Sequence, residues 1–282
     1  MKRSNWRKRA ALACGGVMYA LFAAFGWQAE RYGEIWMAQA LLVSAALVLP
    51  AAALLRFLFK RGEKSRRSVQ AQRSFPAGKA FGALLICYAP MFCIAFPGSF
   101  AYDVPFQLEQ IFTGSYSSHH PLLHTLLMGG CVYLGHAIGN INLGAALYTA
   151  LQMTGLAACF AASCASIARQ SGARAAKWSA AFFALYPLHM MMSVNATKDV
   201  LFSGLFVLML ALSRELLVMG RMEKRRVCGL ILAGAGMMLL RNNALYAVAV
   251  FIVMILAICR RRALPLAGVM ALSVCSSTCQ IR

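Results

Sequence analysis

Acidic residues are scarce in this chain. Only 8 Asp and Glu stand against 28 Lys and Arg in 282 residues, and just two of them are aspartates, Asp103 and Asp199. Charge of either sign is thin, at 13% of residues, where an average soluble domain carries about 25%. With 61% apolar residues and a mean hydropathy of +0.66, the chain is an integral membrane protein rather than a soluble domain. Its net charge of +20 does not imply nucleic acid, because the cations cluster at the ends of apolar runs rather than along one polar face. That pattern orients helices in a bilayer. CxxC pairs are lacking among the ten cysteines, which lie mostly inside apolar runs as small buried hydrophobes. Cys275 and Cys279 pair only if exported, and nothing supports a cysteine metal site. Internal repeats and low-complexity segments are lacking too.

What is present is a series of apolar runs, predicting an all-α, polytopic transmembrane bundle of about eight to nine helices. Three segments follow: a two-helix N-terminal part over 1–79, a core over 80–262, and an incomplete terminal span over 263–282, as in a truncated chain. The basic start MKRSNWRKR leads into Ala10 to Ala29, about the twenty residues a crossing helix needs, and places the N-terminus in the cytoplasm. Trp36 to Phe59 is a second span. Seven cations against Glu63 make 60–79 a cytoplasmic loop, so Ala80 to Phe96 climbs outward. Pro121 starts a helix running inward to about Ile138, and Leu143 to Ala168 is the next run. If every run crosses, Arg169, Arg174 and Lys177 face outward, against the positive-inside tendency. Pro187 interrupts Trp178 to Met192, so one piece of 143–192 is expected to be a half-helix or re-entrant. Val200 to Met219 is a clean span, and Val227 to Leu240 with Ala244 to Cys259 makes a hairpin whose basic flanks are both inside. Fourteen residues rise only about 21 Å, which puts Arg241 below the outer surface in the protein interior.

The stretch from Phe96 to Leu122 breaks this pattern. Asp103, Gln107, Glu109, Gln110, His119 and His120 fall within eighteen residues between apolar runs, a density that marks the lip of an extracytoplasmic site. Pro97-Gly98 stops the preceding helix. From Asp103 to Phe112 the spacing predicts a short interfacial helix, with Val104, Leu108, Ile111 and Phe112 on its apolar face and Asp103, Gln107 and Gln110 on another. Each candidate has a plainer reading. Asp103 caps a helix, Lys198-Asp199 caps another with a snorkelling lysine, His119 and His120 are hydrated at a helix start, and Arg241 marks a loop. Against these, ionisable groups at membrane depth are costly and default to function. The histidines suit a phosphate or sugar hydroxyl better than a metal, since neighbouring side chains point apart, and Arg241 suits a buried anion.

Pro97-Gly98, then Asp103, Gln107, Tyr116, HHPLLHTLLMG from His119, Gln152, ALYP at Ala184 to Pro187, TKD at Thr197 to Asp199 and LLRNNALY at Leu239 to Tyr246 follow one another in order. That order resembles bacterial multi-spanning GT-C type glycosyltransferases, the class of protein O-mannosyltransferases and lipid A aminoarabinose transferases, over about Ala80 to Cys259. The resemblance implies transfer of a sugar from a polyprenyl-phosphate donor to an acceptor outside the bacterial cytoplasmic membrane. It implies Asp103 and Asp199 as catalytic residues, with His119, His120, Lys198 and Arg241 on the donor phosphate. Gln107, Glu109, Tyr116 and Asn242 then contact acceptor or sugar. No cofactor is fixed, and a divalent metal is left open because the class holds metal-dependent and metal-independent enzymes. A transporter or flippase for a lipid-linked or anionic substrate remains the other reading, beside an inactive truncated membrane protein; it predicts polar groups in both halves of the membrane.

Overall fold

A computed structural model describes residues 13–21, 23–25, 28, 37–66, 75–115, 121–219, 223–241, 243–259 and 268. Contacts divide the chain into two compact units, Met1–Gln70 and Ala71–Arg282. In the first unit, helical backbone over 13–21 and 23–25 precedes α1 (Met37–Arg66), which continues through Lys60, Arg61 and Lys64 where a loop was expected. A Cβ at Gly16 would lie 3.0 Å from Ala52, so the two helical stretches cross closely there.

The second unit holds α2 (Ala77–Ile94), β1 (Ser99–Phe100), α3 (Val104–Thr113), α4 (Leu122–Ala137), α5 (Ile141–Ser171), α6 (Ala173–Leu185), α7 (Pro187–Ser193), β2 (Asn195–Ala196), α8 (Lys198–Met219), α9 (Lys224–Leu240) and α10 (Ala244–Cys259). Among the described residues the fold is all-α apart from the two-residue strands. Among the described residues, Met37–Leu54, α2, α5 and Lys198–Leu217 are long and apolar enough to cross a membrane; the remaining helices are shorter.

Helix directions follow from the contacts. Gly155 lies against Leu201, Gly204 against Leu156 and Cys159, and the Ser166 hydroxyl donates to the Ala211 carbonyl at 3.0 Å. Hence α5 and α8 run the same way. α9 runs back along α8, from Arg226 beside Glu215 to Arg241 beside Asp199. α2 rises against α5 until the Pro97 carbonyl accepts from the Thr149 hydroxyl at 2.9 Å. Pro187 breaks the rising run 173–193 into α6 and α7. Having no N–H, it leaves the Phe183 carbonyl without its helical donor, and the Tyr88 hydroxyl donates there at 2.8 Å.

These directions correct the expected crossing of α4. His124 meets Tyr148, while Gly144 lies against Cys131, Val132 and Gly135. α4 therefore lies antiparallel beside the first turns of α5, on the side away from Glu215, instead of passing through the bundle. The end of α5, with Arg169, meets Arg226 around Glu215, at the opposite end of α8 from Asp199. Short helices thus occur both at α4 and, within the 143–192 segment where one was expected, at α6 and α7, which Pro187 divides into 13 and 7 residues. At the α4–α5 crossing a Cβ on Gly144 would lie 2.5 Å from the Cys131 carbonyl oxygen, and backbone cannot step aside as a flexible side chain does. Gly144→Ala is expected to destabilise the detergent-solubilised protein by about 1–3 kcal/mol, read as a lower Tm.

Candidate functional site

Two loops meet at one end of the second unit. The loop after α2 turns at Gly98, whose φ of +129° is open to glycine; a Cβ there would lie 2.3 Å from the Thr149 hydroxyl oxygen. It then runs as β1 parallel to β2, with Ser99 opposite Asn195 and Phe100 opposite Ala196. Each strand feeds a helix within a few residues. Asp103 stands at the start of α3, and Lys198 and Asp199 open α8.

The pairing brings the charged candidates together. Lys198 Nζ donates to Asp103 Oδ2, with side chains only 19% and 17% exposed. Asp103 occupies the cap position, yet its side chain makes no capping bond, so capping does not explain it. Arg241 Nη1 donates to Asp199 Oδ1 at 2.6 Å, and its guanidinium lies 5.5 Å from the centroid of the Phe202 ring. Arg241 has the anion partner expected of it, but not the burial: the two side chains are 43% and 46% exposed. The end of α9 delivers Arg241 to the rim of the bundle rather than below it. Both aspartates face a cation, a donor set that suits an anion better than a divalent metal. Among the described residues no group of three or more His, Cys, Asp or Glu converges on one point.

Gln107 departs from the expected lip position. Residues 104, 107, 108 and 111 share one helical face by i, i+3, i+4, i+7 spacing, so Gln107 goes inward with Val104 and is 1% exposed. Glu109 is exposed at the surface. Tyr116, His119, His120 and Asn242 lie outside the described residues.

A buried polar chain runs beneath the loops, and sequence reasoning did not assemble it. His124 Nδ1 is 2.6 Å from Gln107 Oε1, and His124 Nε2 is 2.7 Å from the Tyr148 hydroxyl. That hydroxyl is 3.1 Å from Gln152 Oε1, while Gln152 Nε2 donates to the Ser193 and Asn195 carbonyls at 3.1 and 2.9 Å. All four side chains are at most 2% exposed. With Nδ1–H donating to Gln107, Nε2 accepts from Tyr148; with both ring nitrogens protonated, the hydroxyl turns to Gln152. The available signal was Tyr148 and Gln152, four apart and so on one face of an apolar helix.

Residues 111–275, more than half of the chain, match the family described as "Family of unknown function (DUF6020)". The chain belongs to the DUF6020 family. The match takes in His124, Gln152, Lys198, Asp199 and Arg241 but begins after Asp103 and Gln107. No curated protein and no solved structure matches.

The opposite end of this DUF6020 chain holds a second charged cluster. Glu215 is 0% exposed and accepts from Arg169 Nε at 2.5 Å, Arg169 Nη2 at 2.8 Å and the Ser166 hydroxyl at 2.6 Å. Arg226 Nε lies 2.7 Å from the same carboxylate. One acid thus ties α5, α8 and α9, while Arg174, Lys177, Lys224 and Arg225 are exposed around that end.

Proposed function

We propose that this chain is a membrane glycosyltransferase, transferring a sugar from a polyprenyl-phosphate-linked donor to an acceptor on the extracytoplasmic side of the bacterial cytoplasmic membrane. The observation that carries it is the double pair, Asp103 with Lys198 and Asp199 with Arg241, at the end of the bundle opposite the exposed cations Arg174, Lys177, Lys224 and Arg225. Basic clusters stay in the cytoplasm, which turns the paired site outward and keeps the N-terminus inside. Eight crossings belong to this reading, namely residues 10–29, α1, α2, α5, the α6–α7 pair, α8, α9 and α10, with 263–282 as the incomplete terminal span.

In this mechanism the donor phosphate competes with the carboxylates for Lys198 and Arg241 through charge-assisted hydrogen bonds. As Lys198 turns to phosphate, Asp103 loses its counter-ion and becomes a base. Asp103 takes the proton of the acceptor hydroxyl, the acceptor oxygen bonds to the anomeric carbon, and the bond from that carbon to the phosphate oxygen breaks. The electron pair leaves with polyprenyl phosphate, held by the two cations.

Purified protein given a polyprenyl-phosphate sugar and a membrane extract as acceptor is expected to release polyprenyl phosphate. Arg241→Ala should raise the donor KM about tenfold, the low end for a charge-assisted contact, because water reaches this half-exposed pair. Donor movement across vesicles without glycosidic bond formation would favour a transporter, whose supporting observation is the helix break at Pro187.

A further inference from the structure

The chemistry above makes no use of the polar chain beneath the loops. Its ends are informative. One end is Gln107, one helical turn after Asp103, whose carbonyl accepts from the Gln107 backbone N–H at 3.2 Å. The other end is the backbone just before Lys198: Gln152 holds the Ser193 and Asn195 carbonyls and lies 3.4 Å from the Thr197 N–H. Between them stand only His124 on α4 and Tyr148 on α5. Apolar side chains would fill this space without needing partners, and buried polar groups are tolerated only when satisfied.

We propose that His124, Tyr148 and Gln152 are positioning residues: one hydrogen-bonded chain that sets Asp103 against Lys198, by fixing the helix that Asp103 starts relative to the strand that Lys198 follows. With β1 and β2 only two residues each, their pairing by itself is a weak constraint on how the two loops sit. The side-chain ladder supplies the register that so short a sheet lacks. Its effect on turnover rests on the glycosyltransferase reading; its effect on loop register does not.

The test uses the strand pair itself. Ser99 and Asn195 are direct partners, and neighbouring strands lie about 4.8 Å apart, inside the Cα separation a disulfide accepts. In the full chain carrying Ser99→Cys and Asn195→Cys, mild oxidation should link the two positions, with the linked peptide followed by mass spectrometry. Gln152→Met keeps the length of the side chain and removes every hydrogen bond; it should slow linking about tenfold. Tyr148→Phe removes only the hydroxyl, so it is the milder variant should Gln152→Met fail to fold, and it should slow linking about threefold. In the chain without added cysteines, both should lower kcat on the polyprenyl-phosphate sugar by a similar factor while the donor KM stays within about twofold. A purely structural role predicts a lower Tm with linking and kcat per folded molecule unchanged, and that result overturns the proposal. If the wild type consumes no such donor, the linking rates still decide this inference while the glycosyltransferase reading fails.

Discussion

Asp103→Asn is expected to lower turnover about 100-fold or more, while the donor KM remains near the wild-type value. The substitution keeps the size of the side chain and an oxygen facing Lys198, so the loop stays in place. It removes the carboxylate that is to receive the acceptor proton. Because the Asp103 side chain makes no capping bond to α3, the helix loses no cap either. Binding and chemistry should therefore separate, in contrast to Arg241→Ala. Single-turnover kinetics at saturating donor make the measurement. Full turnover by Asp103→Asn would reduce Asp103 to a helix start and pass the role of base to Asp199.

Glu215→Ala is expected to be the most destabilising single change. It leaves Arg169 and Arg226 facing each other without their shared carboxylate, while the Ser166 hydroxyl keeps the Ala211 carbonyl and Gln170 as partners. Breaking a buried pair by removing one partner costs about 3–5 kcal/mol. Arg169 is 32% exposed and Arg226 16% exposed, so water relieves part of the loss and a value near the lower bound, about 3 kcal/mol, is expected. For a chain of this size that is a Tm lower by roughly 6–12 °C. Glu109→Ala, on the exposed side of α3, is the control that should leave Tm unchanged. A Glu215→Ala protein with wild-type Tm would mean that the three helices hold that end by apolar packing alone.

The difference between these residues also explains what was legible in the sequence. Helix identity and the charged candidates were readable because each is a local property: apolar run length, basic flanks, and rare acids in an apolar chain. Asp103 beside Lys198 and Asp199 beside Arg241 could be expected at one end, since topology alone collects them there. Gln107 was misplaced because its polarity was weighed above its position on the stripe of Val104, Leu108 and Ile111. The course of α4 was not readable, because a sixteen-residue apolar helix satisfies hydropathy equally well crossing a membrane or lying against α5. Gly135 and Gly144 decide it by allowing close backbone approach, a pairwise fact that neither position reveals alone. His124 and Glu215 were missed for the same reason: their partners lie 24 and 46 residues away.

The parallel pairing of β1 and β2 constrains how such a chain can diverge. Both strands run the same way because α2 and the α6–α7 pair rise toward the same end, and each acid stands at the start of the helix that follows its strand. In extended backbone, one added or lost residue sends every following side chain to the opposite face. An insertion or deletion between Gly98 and Asp103, or between Asn195 and Asp199, would aim Lys198 away from Asp103 while leaving every helix intact. Between these fixed points, Gly98, Asp103, Lys198 and Asp199, the geometry therefore tolerates an exchanged residue more readily than a change in length.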